Sequence, residues 1–228
     1  MKTLIYLFPL FLISCTVTQK VIYKTDDLSV QPSVRTYPIR VEVRILTDNR
    51  AHIDENKILF SDPRQTTLNG KKSCINSEQH YKPDSVVSQV SRMIAEHFNK
   101  ARLFNLSFYN QSPYSGYYLT GTLNSFYGQQ EFSTGALIGA QFGVVGAIAT
   151  SGLKTPGKII IEIADMKLYR KDGTLIKDLG NFYKEYEEDL PVDASCWCIY
   201  SNVNEKLKDF NSHLVEKIRT DLADVTFE

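Results

Sequence analysis

The chain has 228 residues, 26 basic and 26 acidic side chains, a formal net charge of zero and 11% aromatic residues. That length suffices for one sizeable core or two small ones, and aromatics dominated by Tyr and Phe suit a globular domain with much strand. Neutrality without a basic run removes the electrostatic footprint of nucleic-acid binding, so no nucleic-acid partner is expected.

Residues 1–3 carry one positive charge, residues 4–13 are mostly apolar, and Ser14-Cys15 follows. These are the parts of a secretory signal. Ten residues span about 15 Å as a helix, half of a hydrocarbon core of about 30 Å, so this is no transmembrane span. Leu12-Ile13-Ser14-Cys15 resembles the lipobox of bacterial lipoproteins. The resemblance implies removal of residues 1–14 as a signal peptide and attachment of acyl chains such as palmitate to Cys15. The alternative is an ordinary signal peptide that contains a cysteine. Two or more acyl chains hold a protein stably on a bilayer, at roughly 0.8 kcal/mol per buried methylene. Apart from this covalent lipid, no cofactor is expected. Thr16 in place of Asp after the cysteine implies, by family sorting rules, the outer membrane. Val17-Thr18-Gln19-Lys20 lacks an acidic cluster for surface display, so the expected location is the cell envelope, membrane-anchored and facing the periplasm.

Three further cysteines remain, Cys74, Cys196 and Cys198. An exported compartment permits disulfides, and an odd count leaves one thiol over or paired between chains. A bridge within Cys196-Trp197-Cys198 would be strained, so Cys74 joined to Cys196 or Cys198 is expected. The C-x-C spacing supplies half of a metal site, whereas a closed zinc site takes four ligands. His80 is the only histidine near a cysteine in sequence, and no metal site is expected.

Residues 15–38 are polar, mixed and closed by Pro32 and Pro38, which predicts a tether leading into one domain over 39–228. Val21-Ile22-Tyr23 offers an alternative edge strand. Alternation in residues 40–45 puts Val41, Val43 and Ile45 on one face of a half-buried strand, ended by Asp48-Asn49-Arg50. Residues 51–82 show no sustained period; Pro63 and Asn69-Gly70 are breakers, and Lys57-Ile58-Leu59-Phe60 offers a short strand. After Pro83-Asp84, bulky or apolar residues recur at Val86, Val87, Val90, Met93, Ile94, His97, Phe98 and Ala101. Offsets of three and four predict an amphipathic helix, with Asp84 at its cap. His97 lies on the stripe and is read as a hydrogen-bonded histidine at the edge of the core, not a catalytic one.

Residues 106–109 form a short strand, 113–116 a turn and 117–127 a strong strand. In residues 158–169, Ile159, Ile161 and Ile163 share one face and Ala164, Met166 and Leu168 the other. That change of phase marks a bulge or a strand buried on both faces. Asp172-Gly173 signals a hairpin, with a return strand over 181–187 through Phe182, Tyr183 and Tyr186. Asn202-Val203-Asn204-Glu205 has the form of a capping box for a helix striped by Val203, Leu207, Phe210, Leu214, Ile218 and Leu222. The expected fold is α/β of the α+β kind: a largely antiparallel sheet with two amphipathic helices on one face, plus a Gly-rich apolar insertion at about 132–155. This layout, behind a lipobox and a polar tether, resembles the auxiliary lipoproteins of ABC-type lipid transporters. The resemblance covers 39–225 in layout and carries over only Cys15. It implies a scaffolding or transport-accessory role.

In residues 133–152, Gly135, Gly139 and Gly143 repeat every fourth residue. On one helix they form a groove that lets another backbone approach, a pattern resembling the glycine zippers of membrane-associated proteins. No charge occurs between Glu131 and Lys154. The 17 residues of 134–150 would make roughly 26 Å of helix, at the bottom of the spanning range. A single crossing, however, would put the flanking strands on opposite sides of a membrane. A hairpin has about eight residues per arm, or roughly 12 Å. Two readings remain beside spanning. The segment packs internally, or it docks on lipid or a partner through Gly135, Leu137, Ile138, Gly139, Phe142, Gly143, Val144 and Gly146. Each Gly costs a helix roughly 1 kcal/mol relative to Ala, so four glycines between 135 and 146 call for compensating contacts.

Catalytic signatures are missing: no G-x-S-x-G, P-loop or dinucleotide fingerprint occurs, and His52, His80, His97 and His213 lack metal spacing. Glu185, Glu187, Glu188 and Asp189 read as a solvated strand end in preference to an acid–base pair, and C-x-C departs from the redox C-x-x-C. The expected function is non-catalytic. It is that of a lipid-anchored envelope accessory or binding protein supporting a transport or assembly complex, held to the membrane by its lipid and to an envelope partner or a second copy. The alternative is a self-assembling lipoprotein whose glycine-zipper segment builds an oligomeric or pore-like structure.

Overall fold

The computed structural model describes residues 36–50, 67–75, 86–110, 116–150, 152–192 and 198–227. Alternation builds the first strand, β1 (Tyr37–Val43), with Ile39, Val41 and Val43 buried. The domain starts ahead of Pro38, within the stretch expected to be tether. Tyr37 is 2% exposed, and its hydroxyl donates to the carbonyl of Arg219 at 2.9 Å. The strand also ends early. The amide of Arg44 donates to Leu119 O, Ile45 stands 44% exposed, and Leu46 takes the buried place. The Leu46 amide donates to Ser91 Oγ at 3.0 Å. Placing Ile45 with Val41 and Val43 is therefore corrected: the ladder stops before the alternation does.

Two residues of β2 (Thr47–Asp48) follow, then a small hairpin of β3 (Thr67–Leu68) and β4 (Lys71–Ile75) in the stretch without a period. Asn69 and Gly70, at φ 54° and 77°, are its two-residue turn, the left-handed pair that matches strand twist. The strand expected at 57–60, the alternative at 21–23 and the Asp84 cap lie outside the described residues.

Helix α1 (Val86–Lys100) buries every stripe residue the spacing selects, and Ala101 after it. It leads to β5 (Phe104–Tyr109), parallel to β1. Asn99 serves the outer edge of β5 as another strand would: its amide donates to Ser107 O at 2.7 Å and accepts from Ser107 N at 2.6 Å.

Three long strands form the centre: β6 (Tyr117–Glu131), β7 (Lys154–Arg170) and β8 (Leu175–Pro191). They pair antiparallel in sequence, with Gly173 at φ 92° in the second turn. The other edge of β6 takes β1 and β2 in parallel, then β4 antiparallel. The result is an eight-stranded, mostly antiparallel sheet in an α+β fold. All three strands outrun their apolar periods, because backbone pairing continues where the side chains turn polar. The phase change in β7 is a bulge at Asp165 (φ 51°), so Ile159, Ile161, Ile163, Met166 and Leu168 all reach one core.

The last helix, α4 (Cys198–Asp221), lies beside α1 on one face of the sheet, its stripe from Val203 to Leu222 buried. It packs so close to β6 that a Cβ on Gly128 would meet Val203 Cγ2 at 2.4 Å. The expected capping box is corrected. The helix is already formed at Cys198, and Asn202 sits inside it, buried, donating to Gln130 Oε1 and Pro191 O, each at 3.1 Å.

Candidate docking site

The far end of β6 is clamped by polar side chains. Gln130, 1% exposed, donates through Nε2 to Leu190 O (2.7 Å) and Pro191 O (2.9 Å). Its Oε1 accepts from Asn202 and, at 3.6 Å, from the Cys198 thiol. Buried Glu131 accepts from Lys71 Nζ at 2.9 Å and Asn69 Nδ2 at 3.3 Å, and the Lys71 bond chiefly holds its carboxyl below the usual range. Thr155 Oγ1 donates to Glu131 O at 2.7 Å, tying β7 to the same point. Cys74, opposite Gln130 in the β4–β6 ladder, is disulfide-bonded, whereas Cys198 is a thiol. Cys15 and Cys196 lie outside the described residues.

From this root the chain leaves as two eight-residue helices, α2 (Thr134–Gln141) and α3 (Gly143–Thr150). Ser133 caps the first, its Oγ accepting from Ala136 N at 3.1 Å. Gly143, at φ 61°, ends it, since a left-handed residue turns the chain instead of prolonging a helix. The expectation that Gly135, Gly139 and Gly143 line one groove on one helix is thereby corrected. Gly139 and Gly146 instead face each other across the two arms. A Cβ on Gly146 would lie 1.8 Å from Gly139 O, and one on Gly139 would lie 2.3 Å from Thr150 Cγ2. Gly135 stands near Leu153 with ordinary room, 3.7 Å to its Cδ1. Close approach is used, but between two arms of the same chain.

With Gly139 and Gly146 on the inside, the bulky residues face out. Phe142 is 70% exposed, Val144 and Val145 76%, Ile148 69%, Ile138 52% and Leu137 41%. The arms pack chiefly on each other, and among the described side chains of the hairpin only Ala136, Gly139 and Gly146 are buried. Folded monomers rarely leave so much contiguous apolar surface uncovered, and where they do it marks a contact site. Among the described residues, no helix is long and apolar enough to cross a membrane.

The other candidate residues are dispersed. His97 is fully buried, deeper than the core's edge, with Nε2 3.3 Å from Ser212 Oγ. That hydroxyl already donates to Lys208 O at 3.0 Å, so the proton between them belongs to Nε2. Burial, helped by the charge of Lys100, lowers the His97 pKa to about 4. His213 is exposed on α4, and His52 and His80 lie outside the described residues. The acidic run divides between the two faces of β8, as strand periodicity requires. Glu185 and Glu187 reach Lys158, while Glu188 pairs with Lys206 of α4. The Glu185 carboxyl lies below the usual range, chiefly through the Lys158 bond and next through that of Tyr183. Each of these three carboxylates thus has a cation. Among the described residues no group of three or more His, Cys, Asp or Glu could hold a metal ion.

Two arrangements escaped sequence reasoning. One is the Gln130 clamp. The other, on the sheet face away from the helices, is a stack of Tyr118 on Tyr169 (centroids 5.1 Å apart), with the Arg44 guanidinium 3.4 Å above Tyr118. Both depend on strand register, which no local pattern encodes.

No family model matches the chain, and no curated protein matches it. Among solved structures, the chain is similar to a Xanthomonas campestris protein, XCC0632, described under the family DUF330. The identity is 10% and the TM-score 0.43, over 84% of this chain and 97% of that one. It is also similar to PelC of Paraburkholderia phytofirmans, solved as a dodecamer, at 6% identity and TM-score 0.34, over 82% of this chain and 92% of that one. Similarity at this level transfers no ligand, partner or assembly.

Proposed function

We propose that the protein is a non-catalytic accessory lipoprotein of the cell envelope. Acyl chains on Cys15 hold it at the outer membrane facing the periplasm, and it serves a transport or assembly complex there. The observation that carries this reading is the exposed apolar hairpin on a clamped root. A folded domain that spends its glycines on turning Phe142, Val144, Val145 and Ile148 outward is built for contact. Gly139 packs on the second arm and Gly143 turns the chain, which favours the accessory reading over a zipper of Gly135, Gly139 and Gly143 between copies.

Acyl labelling in cells tests the anchor. The chain should take up label and mature at Cys15, and Cys15→Ser should lose both. Label and normal processing retained in Cys15→Ser would sink the lipobox reading. Affinity purification of the lipidated protein from native membranes tests the role: an envelope protein should accompany it, and recovery of this chain alone would remove the accessory reading.

A further inference from the structure

We infer that residues 134–150 insert into the acyl region of one membrane leaflet, giving the domain a second attachment to lipid beside the covalent one. Only the choice of membrane rests on the envelope-lipoprotein reading; the insertion rests on the hairpin itself.

The direction of exposure is the first argument. A helix that docks in a protein groove keeps one apolar stripe and a polar back, whereas a helix apolar all round belongs inside an apolar medium. Here the outward residues occupy both arms and the turn, from Leu137 and Ile138 through Phe142 to Val145 and Ile148. No charge lies between Glu131 and Lys154.

Depth is the second argument. Eight residues per arm give about 12 Å at 1.5 Å per residue. One leaflet of a hydrocarbon core of about 30 Å offers about 15 Å. The hairpin thus matches a leaflet and falls short of a bilayer. Its backbone is suited in part to that medium: helical bonds satisfy the inner amides and carbonyls of each arm, Ser133 and Gly139 O take up amides at the start and end of α2, and small residues let paired helices pack without a hydrophobic drive between them.

The root supplies the third argument. The strands flanking the end of β6, paired through Ser73 opposite Glu131 and Gly157 opposite Gln130, carry exposed Lys71 and Lys154 near the root of the hairpin. Lys71 keeps 71% of its side chain exposed while bonded to Glu131. Ammonium groups at that level meet lipid phosphates when the arms are immersed. Gln141, exposed where α2 ends at the turn, is the one polar side chain of residues 134–150 besides Thr134 and Thr150 at the root; a neutral amide there weakens insertion far less than a charge would.

The test uses the mature chain, residues 15–228, carrying Cys15→Ser, so that neither acyl chains nor the apolar residues 4–13 contribute, with vesicles of phosphatidylethanolamine and a minority of phosphatidylglycerol. This protein should float with the vesicles. Adding Val145→Asp and Ile148→Asp should lower its partitioning by more than about tenfold, since each buried Asp costs about 2.5–3.5 kcal/mol at a helix centre. The melting temperature should hold, because both side chains are exposed. Gln141→Leu should raise partitioning. In Phe142→Trp, the new fluorescence should be quenched by bromine on acyl chains and shielded from aqueous iodide. Failure of Cys15→Ser to float, or a Phe142→Trp signal open to iodide in the presence of vesicles, would overturn the insertion. So would hairpin variants that lose only a co-purifying protein or only self-association while vesicle binding is unchanged. None of these readouts depends on acylation of Cys15, so failure here and failure of the anchor remain separable.

Discussion

His97 shows what one polar residue in an apolar stripe costs and where that cost appears. The fold lowers its pKa from 6.5 to about 4, first by burial and then by the charge of Lys100. Unfolded chain therefore takes up a proton that folded chain refuses. Above pH 6.5 both states are neutral and the residue costs nothing. As the pH falls from 6.5 towards 4 the unfolded state is favoured, by on the order of 3 kcal/mol in total, and below 4 the loss stops growing. Replacing His97 by Gln keeps a donor near Ser212 and removes the titration. Denaturant melts at a series of pH values should show a flatter profile for His97→Gln between pH 6.5 and 4, and an unchanged profile would refute the assignment. The position of His97 was legible in the sequence because a 3.6-residue period places every member of the stripe. Its depth was not, since that depends on α4 closing over α1 through Ser212.

At the scale of elements, the glycine repeat announced close approach but not with what. Spacing of four is the same whether the partner backbone belongs to another chain or to the next helix, and only the break at Gly143 decides between them. The start of α4 was misplaced for a related reason: Asn202 caps a helix or bonds a neighbouring strand with the same amide, and Gln130 claims it. Strand length was underestimated wherever pairing outran apolar alternation, as at Gln129, Gln130 and Glu131. The hairpin reading makes a specific demand. Gly146→Val places branched carbon where Gly139 O already stands, so the arms must part. Because the arms pack chiefly on each other, protease cleavage within 134–150 should rise sharply while the domain's melting temperature moves by a few degrees at most. Loss of several kcal/mol of global stability would show instead that the hairpin is part of the core.

For the molecule as a whole, the core is one continuous cluster, and its two ends differ. Chain enters at Tyr37, near the Tyr117 end of β6, and the hairpin leaves after Glu131 at the other end. Fourteen steps of strand put about 45 Å between the two. The hairpin's end is the reinforced one, with the Gln130 clamp, the Glu131 contacts and the Cys74 disulfide gathered there. Of the two partners the sequence offers Cys74, Cys198 is a thiol, so a link to Cys196 is the expectation to test. Mass mapping of oxidised protein should find that link and an alkylated Cys198; a Cys74–Cys198 peptide would contradict it. A loop of more than a hundred residues closed this way contributes about 4–5 kcal/mol on the chain-entropy account, so reduction should lower stability measurably.

Because β1 enters at one end of the sheet and the hairpin leaves at the other, the fold also decides how the domain would bear a pull between those ends. The 21 Cα steps from Cys15 to Thr36 reach at most about 75 Å, enough for the proposed lipid on Cys15 and the proposed inserted hairpin to meet one membrane. Tension between the ends then acts along the strands. β1 is drawn one way and β6 the other, in parallel register from Val41 opposite Tyr117 to Val43 opposite Leu119, so the two must slide past each other and their hydrogen bonds are loaded together. Tension across the strands would open the same bonds one at a time. A membrane holding both proposed contacts would thus pull on the sheet in its stiffest direction.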